Sequence, residues 1–284
     1  MMTSTDPMVT AQWLQEHINA PDVCVVDASW VPPWMPNAGD GVSRALYKEA
    51  HIPGAVFFDI DEIADIDSSL PHMLPSPEKF SSRVRKMGLG DGKTIVVYDR
   101  SGFMASARVW WMFRFMGHAD VKVLDGGWNA WVEAGGAVED MEPVLSERHH
   151  TVRVQNHLLK TLDQMQSAVK DDTTLILDAR PAGRFAGNEP EPRPGLSSGH
   201  MPGSESLPAT SLVNSDGTLK SESELRAALA SFKANQEIVA TCGSGVSAAI
   251  ILLAFQRIGR NDVALYDGSW SEWAEKCPND IATA

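Results

Sequence analysis

Short apolar runs alternate with longer, more polar segments along this chain. The runs at residues 23–28 (VCVVDA), 94–99 (TIVVYD) and 174–179 (TLILDA) have the length and the β-branched content of buried strands. Two polar segments, residues 76–88 and 221–232, begin with a serine that is closely followed by a glutamate, which is typical of a helix N-terminus. Strands and helices in this order predict an α/β fold with parallel strands and right-handed crossovers.

The whole pattern occurs twice. Residues 97–131 align with residues 239–273 without a gap, and ten of the 35 aligned positions are identical. Two further landmarks recur in the same order, VVDAS (25–29) with LILDAR (175–180) and HIPGA (51–55) with HMPGS (200–204). Landmarks that recur in one order predict a tandem duplication.

The duplication predicts two tandem α/β domains, each a mainly parallel sheet flanked by helices. The second copy is preceded by a polar stretch, so we expect an N-terminal domain at residues 1–145, a linker at 146–156 and a C-terminal domain at 157–284. Each half then has the ordinary size of one domain, roughly 140 residues.

Charge and hydropathy exclude several classes of function. The 284 residues include 24 basic and 37 acidic side chains, and the resulting net charge of −13 disfavours nucleic acid as a partner. No apolar run approaches the ~20 residues of a membrane-spanning helix, so we expect no membrane partner. The first residues also lack the pattern of a secretory signal.

The three cysteines are too few and too scattered for a disulfide framework or a metal site. This usage favours the reducing environment of the cytoplasm. Cys24 lies inside an apolar run and is expected in the core, whereas Cys277 lies in the polar sequence EKCPND and is expected at the surface.

Cys242 ends the predicted strand EIVATC (237–242), and a helix is predicted to begin after Ser244. Open α/β sheets bind ligands at this edge, and a helix N-terminus offers unpaired N–H groups there. Gly243 and Gly245 allow the loop to curl so that N–H groups face the sulfur, which favours a thiolate. A buried filler and a metal ligand are the alternatives, but the coincidence of these features favours a nucleophile.

Other known loops do not fit this stretch. A cysteine phosphatase needs an arginine six positions after its cysteine, where this chain has Ala248. A serine-hydrolase elbow needs glycines two residues on either side of Ser244, but Cys242 and Val246 stand there. The lysine of a phosphate-binding P-loop and the second cysteine of a redox pair are absent from the loop.

The loop sequence CGSGVSAA, with YDGSW downstream, resembles the active-site loop of the 3-mercaptopyruvate sulfurtransferases of the tandem-domain rhodanese superfamily. The stretches HIPGAVFFDID, PHMLPS, RVWWMFRFMGH and GRFAGNEPEPRPGLSSGHMPG are similar to signatures of the same family. The resemblance extends over nearly the whole chain. The active-site loop that it implies comprises Cys242, Gly243, Ser244, Gly245, Val246 and Ser247, of which Ser247 stands where the family usually has threonine.

The resemblance implies a reaction without a metal or another cofactor. In the family, a cysteine takes the sulfur of 3-mercaptopyruvate as a persulfide and releases pyruvate; the cysteine here is Cys242. A second thiol, such as thioredoxin or a low-molecular-weight thiol, or cyanide then accepts the sulfur. The neutral pair Gly243–Ser244 favours mercaptopyruvate, because thiosulfate-specific relatives carry arginine and lysine there. A thiosulfate sulfurtransferase and a sulfur-carrier module remain the alternatives.

The resemblance also implies roles for residues outside the loop. Arg184 and Arg193 match the arginines that bind the substrate carboxylate, although pairing with Glu189 and Glu191 as structural contacts is the alternative. Arg180 is expected to be structural.

His51 matches a histidine proposed to polarise Ser244, and Asp40 is a loose match for its aspartate partner. His200 holds the place of His51 in the second half, so a repeated turn device is the other interpretation of His51. The gapless alignment places Arg100 opposite Cys242, which predicts that the N-terminal domain is not catalytic.

Overall fold

The computed structural model describes residues 6–36, 38–39, 41–171, 173–232 and 236–284. The chain divides into two compact units. Unit 1 takes the described residues of Met1–Ile66, Leu74–Gln155 and Ser215–Thr218, and unit 2 takes those of Asp67–Met73, Asn156–Asn214 and Leu219–Ala284.

Unit 1 contains a five-stranded sheet in which every pair of neighbouring strands is parallel. Its strands, in the spatial order β1-β5-β4-β2-β3, are β1 Met8–Val9, β2 Val23–Asp27, β3 Val56–Phe57, β4 Thr94–Tyr98 and β5 Val121–Leu124. Its helices are α1 Ala11–His17, α2 Val42–Glu49, α3 Ile60–Ile63, α4 Pro77–Lys86, α5 Ser106–Phe115 and α6 Gly127–Glu133.

Unit 2 repeats this arrangement. Its strands, in the equivalent order β6-β10-β9-β7-β8, are β6 Leu159–Lys160, β7 Thr174–Asp178, β8 Glu205–Ser206, β9 Glu237–Thr241 and β10 Ala264–Tyr266, again all parallel. Its α-helices are α7 Leu162–Ala168, α8 Ala182–Ala186, α9 Glu222–Ala228, α10 Ala248–Arg257 and α11 Ser269–Lys276. The matching strand orders confirm the predicted pair of parallel α/β folds.

The predicted helix starts have the expected caps. The hydroxyl of Ser76 accepts the N–H of Lys79 at the start of α4. At the start of α9, Ser221 accepts the N–H of Glu224 while the Glu224 carboxylate accepts the N–H of Ser221, which is a complete capping box. No helix in the described part of the chain is long and apolar enough to cross a membrane.

The apolar runs form the cores. A core cluster of unit 1 is built on Leu14, Val96 and Trp131, and a core cluster of unit 2 is built on Trp270 and Trp273. The expectation for Cys277 is wrong: the residue is 5% exposed and belongs to this cluster of unit 2, because it closes α11 on its buried side. Cys24 is only half-buried, since it lies near the start of β2 beside a cavity of about 310 Å³.

The stretch at residues 146–156, expected to be a linker, lies along unit 1 as far as residue 155. Its N–H groups pair with the backbone there, Arg148 with the carbonyl of Arg85 and Arg153 with that of Met116. Backbone groups covered by another segment need such partners, so the pairing fixes this stretch in place.

Gly117 and Gly259 occupy the same place in the two units, after α5 and α10, and both have φ +92°. A Cβ at Gly117 would lie 2.5 Å from the carbonyl oxygen of Arg153, whereas a Cβ at Gly259 would meet no atom within 4 Å. An alanine would therefore be strained by the left-handed conformation at both positions, but only at Gly117 would its Cβ also collide with the backbone of Arg153.

We expect Gly259→Ala to lower the free energy of unfolding by about 1 kcal/mol, the cost of the left-handed conformation alone. Gly117→Ala should cost at least about 2 kcal/mol, because the 146–155 stretch must also move. Denaturant unfolding of both variants measures the difference. Equal losses would contradict the collision.

His150 is 4% exposed and packs against the rings of Phe80, Phe113 and His118. Among the described residues, neither of its ring nitrogens has a hydrogen-bond partner. Burial, and then the neighbouring His118, hold the pKa of His150 below its ordinary value; Asp91 opposes this shift and His149 adds to it.

This lowered pKa gives a signed pH dependence. The folded state keeps His150 neutral while the unfolded state takes up a proton, so stability falls as the pH drops below about 6.5. We expect the wild type to lose about 1 kcal/mol more than His150→Phe between pH 7.5 and pH 5.5, since the slope is at most about 1.4 kcal/mol per pH unit. Guanidinium unfolding at both values tests this, and parallel losses in the two proteins would refute it.

Candidate active site

The carboxyl ends of β7 and β9 bring two functional loops together. Asp178 lies opposite Thr241 in the parallel pairing of these strands. The Cys242 loop follows β9, and the loop with Arg180, Arg184 and Arg193 follows β7. The predicted position of Cys242 at a strand end is thus confirmed.

The backbone around Cys242 is held by the start of α11. The N–H of Trp270 donates to the carbonyl of Cys242 at 2.9 Å, and Ser271 donates to the carbonyl of Gly243 through its N–H at 3.0 Å and through its hydroxyl at 2.6 Å. The N–H of Cys242 itself donates to the hydroxyl of Ser269 at 3.3 Å. Cys242 is 2% exposed, so its sulfur lies in a largely enclosed place.

The loop differs in two details from the sequence expectation. Of its two glycines, only Gly245 has a positive φ, +75°, so only this position needs glycine for its backbone. The helix α10 begins at Ala248 and not directly after Ser244, because Gly245, Val246 and Ser247 still belong to the loop.

Ser244 connects two side chains. Its hydroxyl oxygen lies 3.0 Å from Nη2 of Arg193 and 2.9 Å from Nδ1 of His72, and the residue is 4% exposed. Arginine only donates hydrogen bonds, so Ser244 accepts from Arg193, and in the second hydrogen bond either the hydroxyl or Nδ1 of His72 can be the donor. This arrangement allows a proton to pass between Ser244 and His72.

The sequence alone did not identify His72 as a candidate site residue. It lies in the segment 67–73 of unit 2, far from Ser244 in the chain, and it has φ +60° in an irregular loop. The motif PHMLPS, which carries it, was the one available signal.

The contacts of His51 fit the second of its two interpretations, a turn device. Its Nδ1 lies 2.7 Å from the carbonyl of Tyr47, its ring stacks on Tyr47, and its backbone bridges to Glu139. The structure brings His72, not His51, to the hydroxyl of Ser244, and the other expected residue, Asp40, lies outside the described residues.

His200 makes the equivalent contacts in unit 2. Its Nδ1 lies 2.8 Å from the carbonyl of Phe185, its ring stacks on Phe185, and its backbone bridges to Ala282. The same set of contacts in both halves supports the interpretation of these histidines as a repeated turn device.

Arg180 is structural, as expected. It is 1% exposed, its guanidinium pairs with Asp178 at 2.6 Å and with Glu191 at 2.6 Å, and it lies over the ring of Trp270. Burial of charges on this scale is tolerated only because each charge has close partners.

Arg184 and Arg193 are placed differently from Arg180. Arg184 keeps 20% of its side chain exposed and lies 3.5 Å from the other oxygen of Glu191, so its guanidinium is oriented but only weakly paired. Arg193 reaches Ser244, and its Nη1 comes within 3.5 Å of where a Cβ on Gly243 would be. Arg193 is therefore brought to the cysteine loop, while Arg184 remains available to an anion.

The corresponding loop of unit 1 is one residue longer. In β2 and β4, Asp27 lies opposite Tyr98, as Asp178 lies opposite Thr241 in unit 2, so the first residue after the strand is Asp99. The N–H of Trp128 also donates to the carbonyl of Asp99, as that of Trp270 does to Cys242. Asp99, and not Arg100, thus takes the place of Cys242; a gapless alignment could not show an insertion within the loop.

Comparison with known proteins places this geometry in a family. The model of the rhodanese-like domain matches residues 10–134 and 161–276. The chain is 38% identical to the 3-mercaptopyruvate sulfurtransferase of Escherichia coli, with 96% of each chain covered. It is 36% identical to the human 3-mercaptopyruvate sulfurtransferase, covering 96% of this chain and 94% of that one.

Two further relatives extend the comparison. The thiosulfate sulfurtransferase of Cricetulus griseus is 39% identical over 95% of this chain and 93% of its own. The crystal structure of SseA from Escherichia coli, a 3-mercaptopyruvate sulfotransferase, superimposes with a TM-score of 0.84 at 36% identity over 94% of this chain and 99% of that one.

The family model matches once in each unit, and the relatives cover almost the whole length of the chain. Both comparisons agree with the repeated parallel sheets. The chain therefore belongs to the rhodanese family and carries two rhodanese-like domains in tandem.

Proposed function

We propose that this chain is a 3-mercaptopyruvate sulfurtransferase that carries the sulfur as a persulfide on Cys242. The observation that supports this best is the position of the Ser244 hydroxyl, between Arg193 and His72 and two residues after the cysteine. A cation and a proton relay beside a nucleophilic thiol suit a keto-acid donor whose leaving group is an enolate.

The first step transfers sulfur to the cysteine. A lone pair of the Cys242 thiolate forms the S–S bond with the sulfur of 3-mercaptopyruvate. The C–S bond of the donor breaks, and its electron pair leaves with carbon as the enolate of pyruvate. The carbon fragment takes up one proton to become pyruvate, and the cysteine keeps the persulfide.

Ser244 and His72 manage the proton in this step. Charge that develops on the enolate oxygen lies where the Ser244 hydroxyl can donate to it, and the 2.9 Å contact lets His72 exchange a proton with that hydroxyl. Arg193 donates to the same oxygen atom of Ser244 and so fixes its direction.

Arg184 and Arg193 bind the donor. The carboxylate of an α-keto acid fits the planar fork of a guanidinium better than a point charge. Arg184 is half-buried and held on one side by Glu191, which leaves the rest of its fork for the substrate. The substrate carboxylate would then be oriented before the sulfur meets Cys242.

The loop stabilises the sulfur anion. Cys242 lies six residues before the first residue of α10, and the N–H groups of Ala249 and Ile250 donate to the carbonyls of Val246 and Ser247. The positive end of the helix dipole favours both the thiolate and the persulfide anion. The persulfide then passes its outer sulfur to an acceptor thiol, such as thioredoxin or a small thiol, or to cyanide.

Thiosulfate is the alternative donor. Relatives of both names are similar to this chain to nearly the same degree, so the choice rests on the loop. A dianion such as thiosulfate is best bound by cationic loop residues, but Gly243 and Ser244 are neutral. The neutral loop favours the singly charged mercaptopyruvate.

The proposal extends to organisation and location. Unit 1, which corresponds to the expected domain at residues 1–145, is not catalytic because Asp99 holds the place of the cysteine. The catalytic domain comprises residues 157–284. We place the protein in the cytoplasm because its cysteines are free, although one relative from Arabidopsis thaliana is named as mitochondrial.

Mass spectrometry tests the reaction directly. Incubation with 3-mercaptopyruvate should add one sulfur atom to the peptide that contains Cys242 and release pyruvate in equal amount, and Cys242→Ser should do neither. The kcat/KM for mercaptopyruvate should exceed that for thiosulfate at least about tenfold, the effect of about 1.4 kcal/mol. A higher kcat/KM for thiosulfate would sink the assignment of the donor.

The two histidines provide a matched pair of variants. His72→Gln should lower kcat by about a hundredfold or more, because the proton relay is lost. His51→Gln should keep kcat within about threefold per folded molecule while lowering the unfolding temperature, since His51 only packs on Tyr47. Steady-state pyruvate release and thermal unfolding measure both effects; the opposite ranking in kcat would return the catalytic role to His51.

A further inference from the structure

A buried carboxylate in unit 1 collects four backbone N–H groups. Asp99 is 2% exposed, and its Oδ1 accepts the N–H of Ser101 at 3.0 Å and of Phe103 at 3.2 Å. Its Oδ2 accepts the N–H of Ala105 at 3.0 Å and of Ser106 at 2.8 Å. The carboxylate therefore accepts N–H groups from both ends of this loop, from Ser101 to Ser106.

The same place in unit 2 holds the sulfur of Cys242. The strand registers make Asp99 and Cys242 the first residues after β4 and β9. The helices that follow start in the same way, since Ser106 and Ala248 are both the first residue of their helix and neither helix has a side-chain cap on its preceding residue. The two loops therefore join equivalent strand ends to equivalent helix starts, and in unit 1 the N–H groups of that helix start donate to the side chain at the strand end.

The neighbouring arginine does not occupy this place. The guanidinium of Arg100 stacks on the ring of Trp128 at 3.9 Å and donates to the carbonyls of Leu46 and Ala50, at the C-terminal end of α2. The C-terminal end of a helix carries a partial negative charge, which favours a cation there. Arg100 thus satisfies another helix, and the anion at the loop is Asp99.

We propose that unit 1 retains a latent sulfur-anion site, which the chain's own Asp99 carboxylate occupies permanently. The site is a cradle of backbone N–H groups, and it needs only a thiol at position 99 to hold a thiolate. Asp99, and not Arg100, is what makes unit 1 silent.

The physical argument rests on charge. A carboxylate and a thiolate are both anions that accept several N–H groups, and hydrogen bonds to an ionised acceptor are roughly twice as strong as neutral ones. N–H groups at a helix start also favour a thiolate over a thiol. A thiol placed at position 99 would meet these groups, whereas a thiol at position 100 would point toward Trp128 and α2.

Two adjacent variants test the latent site. In a Cys242→Ser background, Asp99→Cys and Arg100→Cys each introduce one thiol, and alkylation by iodoacetamide is followed against pH with the modified peptide identified by mass spectrometry. We expect half-maximal alkylation of the cysteine at position 99 to occur at least about one pH unit below that at position 100, a tenfold difference in thiolate fraction at a given pH. Equal midpoints, or the reverse order, would overturn the proposal.

A second arm does not depend on the folding of those variants. If the cradle of unit 2 is built for the same kind of anion, Cys242→Asp should unfold at a higher temperature than its neutral isostere Cys242→Asn at pH 7. Asp99→Asn should correspondingly unfold at a lower temperature than the wild type. An aspartate variant at position 242 no more stable than the asparagine variant would show that the two loops do not share a cradle.

Neither arm uses a sulfur donor. Their outcome is therefore independent of the proposed function. Even if the protein released no pyruvate from mercaptopyruvate, the alkylation experiment would still decide whether the latent site exists.

Discussion

The reactive loop depends on an exchange of hydrogen bonds between its backbone and the start of α11. The carbonyls of Cys242 and Gly243 need donors because they are covered, and the first N–H groups of α11, on Trp270 and Ser271, need acceptors because no helical carbonyl precedes them. Each set satisfies the other. Ser269 completes the exchange with a positive φ of +51° and a hydroxyl that accepts the N–H of Cys242 and donates to the carbonyl of Tyr266. The position of the sulfur is thus fixed by a helix that follows it by almost thirty residues in the sequence.

The chain has a net charge of −13, yet three arginines lie in one loop beside the reactive cysteine loop. One arginine of the loop after β7, Arg180, is fully used by Asp178 and Glu191 and acts as the anchor of that loop. The other two belong to the same loop: Arg184 lies 3.5 Å from Glu191, and Arg193 donates to the hydroxyl of Ser244. A local cationic site can exist in an acidic protein because the interaction between charges falls off steeply with distance in salt.

The sequence was sufficient for the features that depend on local pattern. The strand at residues 237–241, the duplication and the place of Cys242 followed from apolar runs, glycines and repeated motifs. His72 could not be found in this way, because its contact with Ser244 joins an irregular loop to a residue 172 positions away. The counterpart of Cys242 in unit 1 was placed one residue off, since only the pairing of β2 with β4 reveals where the extra residue lies. Cys277 looked exposed because polar neighbours surround it in the sequence, but the end of α11 turns it into the core.

The buried group of Asp178, Arg180 and Glu191 also constrains how such a protein can diverge. Removing Arg180 leaves the buried carboxylates of Asp178 and Glu191 without their closest cation, at a cost of about 3–5 kcal/mol, which is a large share of the stability of an ordinary domain. Descendants of this chain can therefore change Arg180 only together with these carboxylates, whereas Arg184, which keeps part of its surface in water, can change alone. Evolutionary changes in donor preference should accordingly begin at Arg184, while Arg180 and its carboxylate partners are retained together.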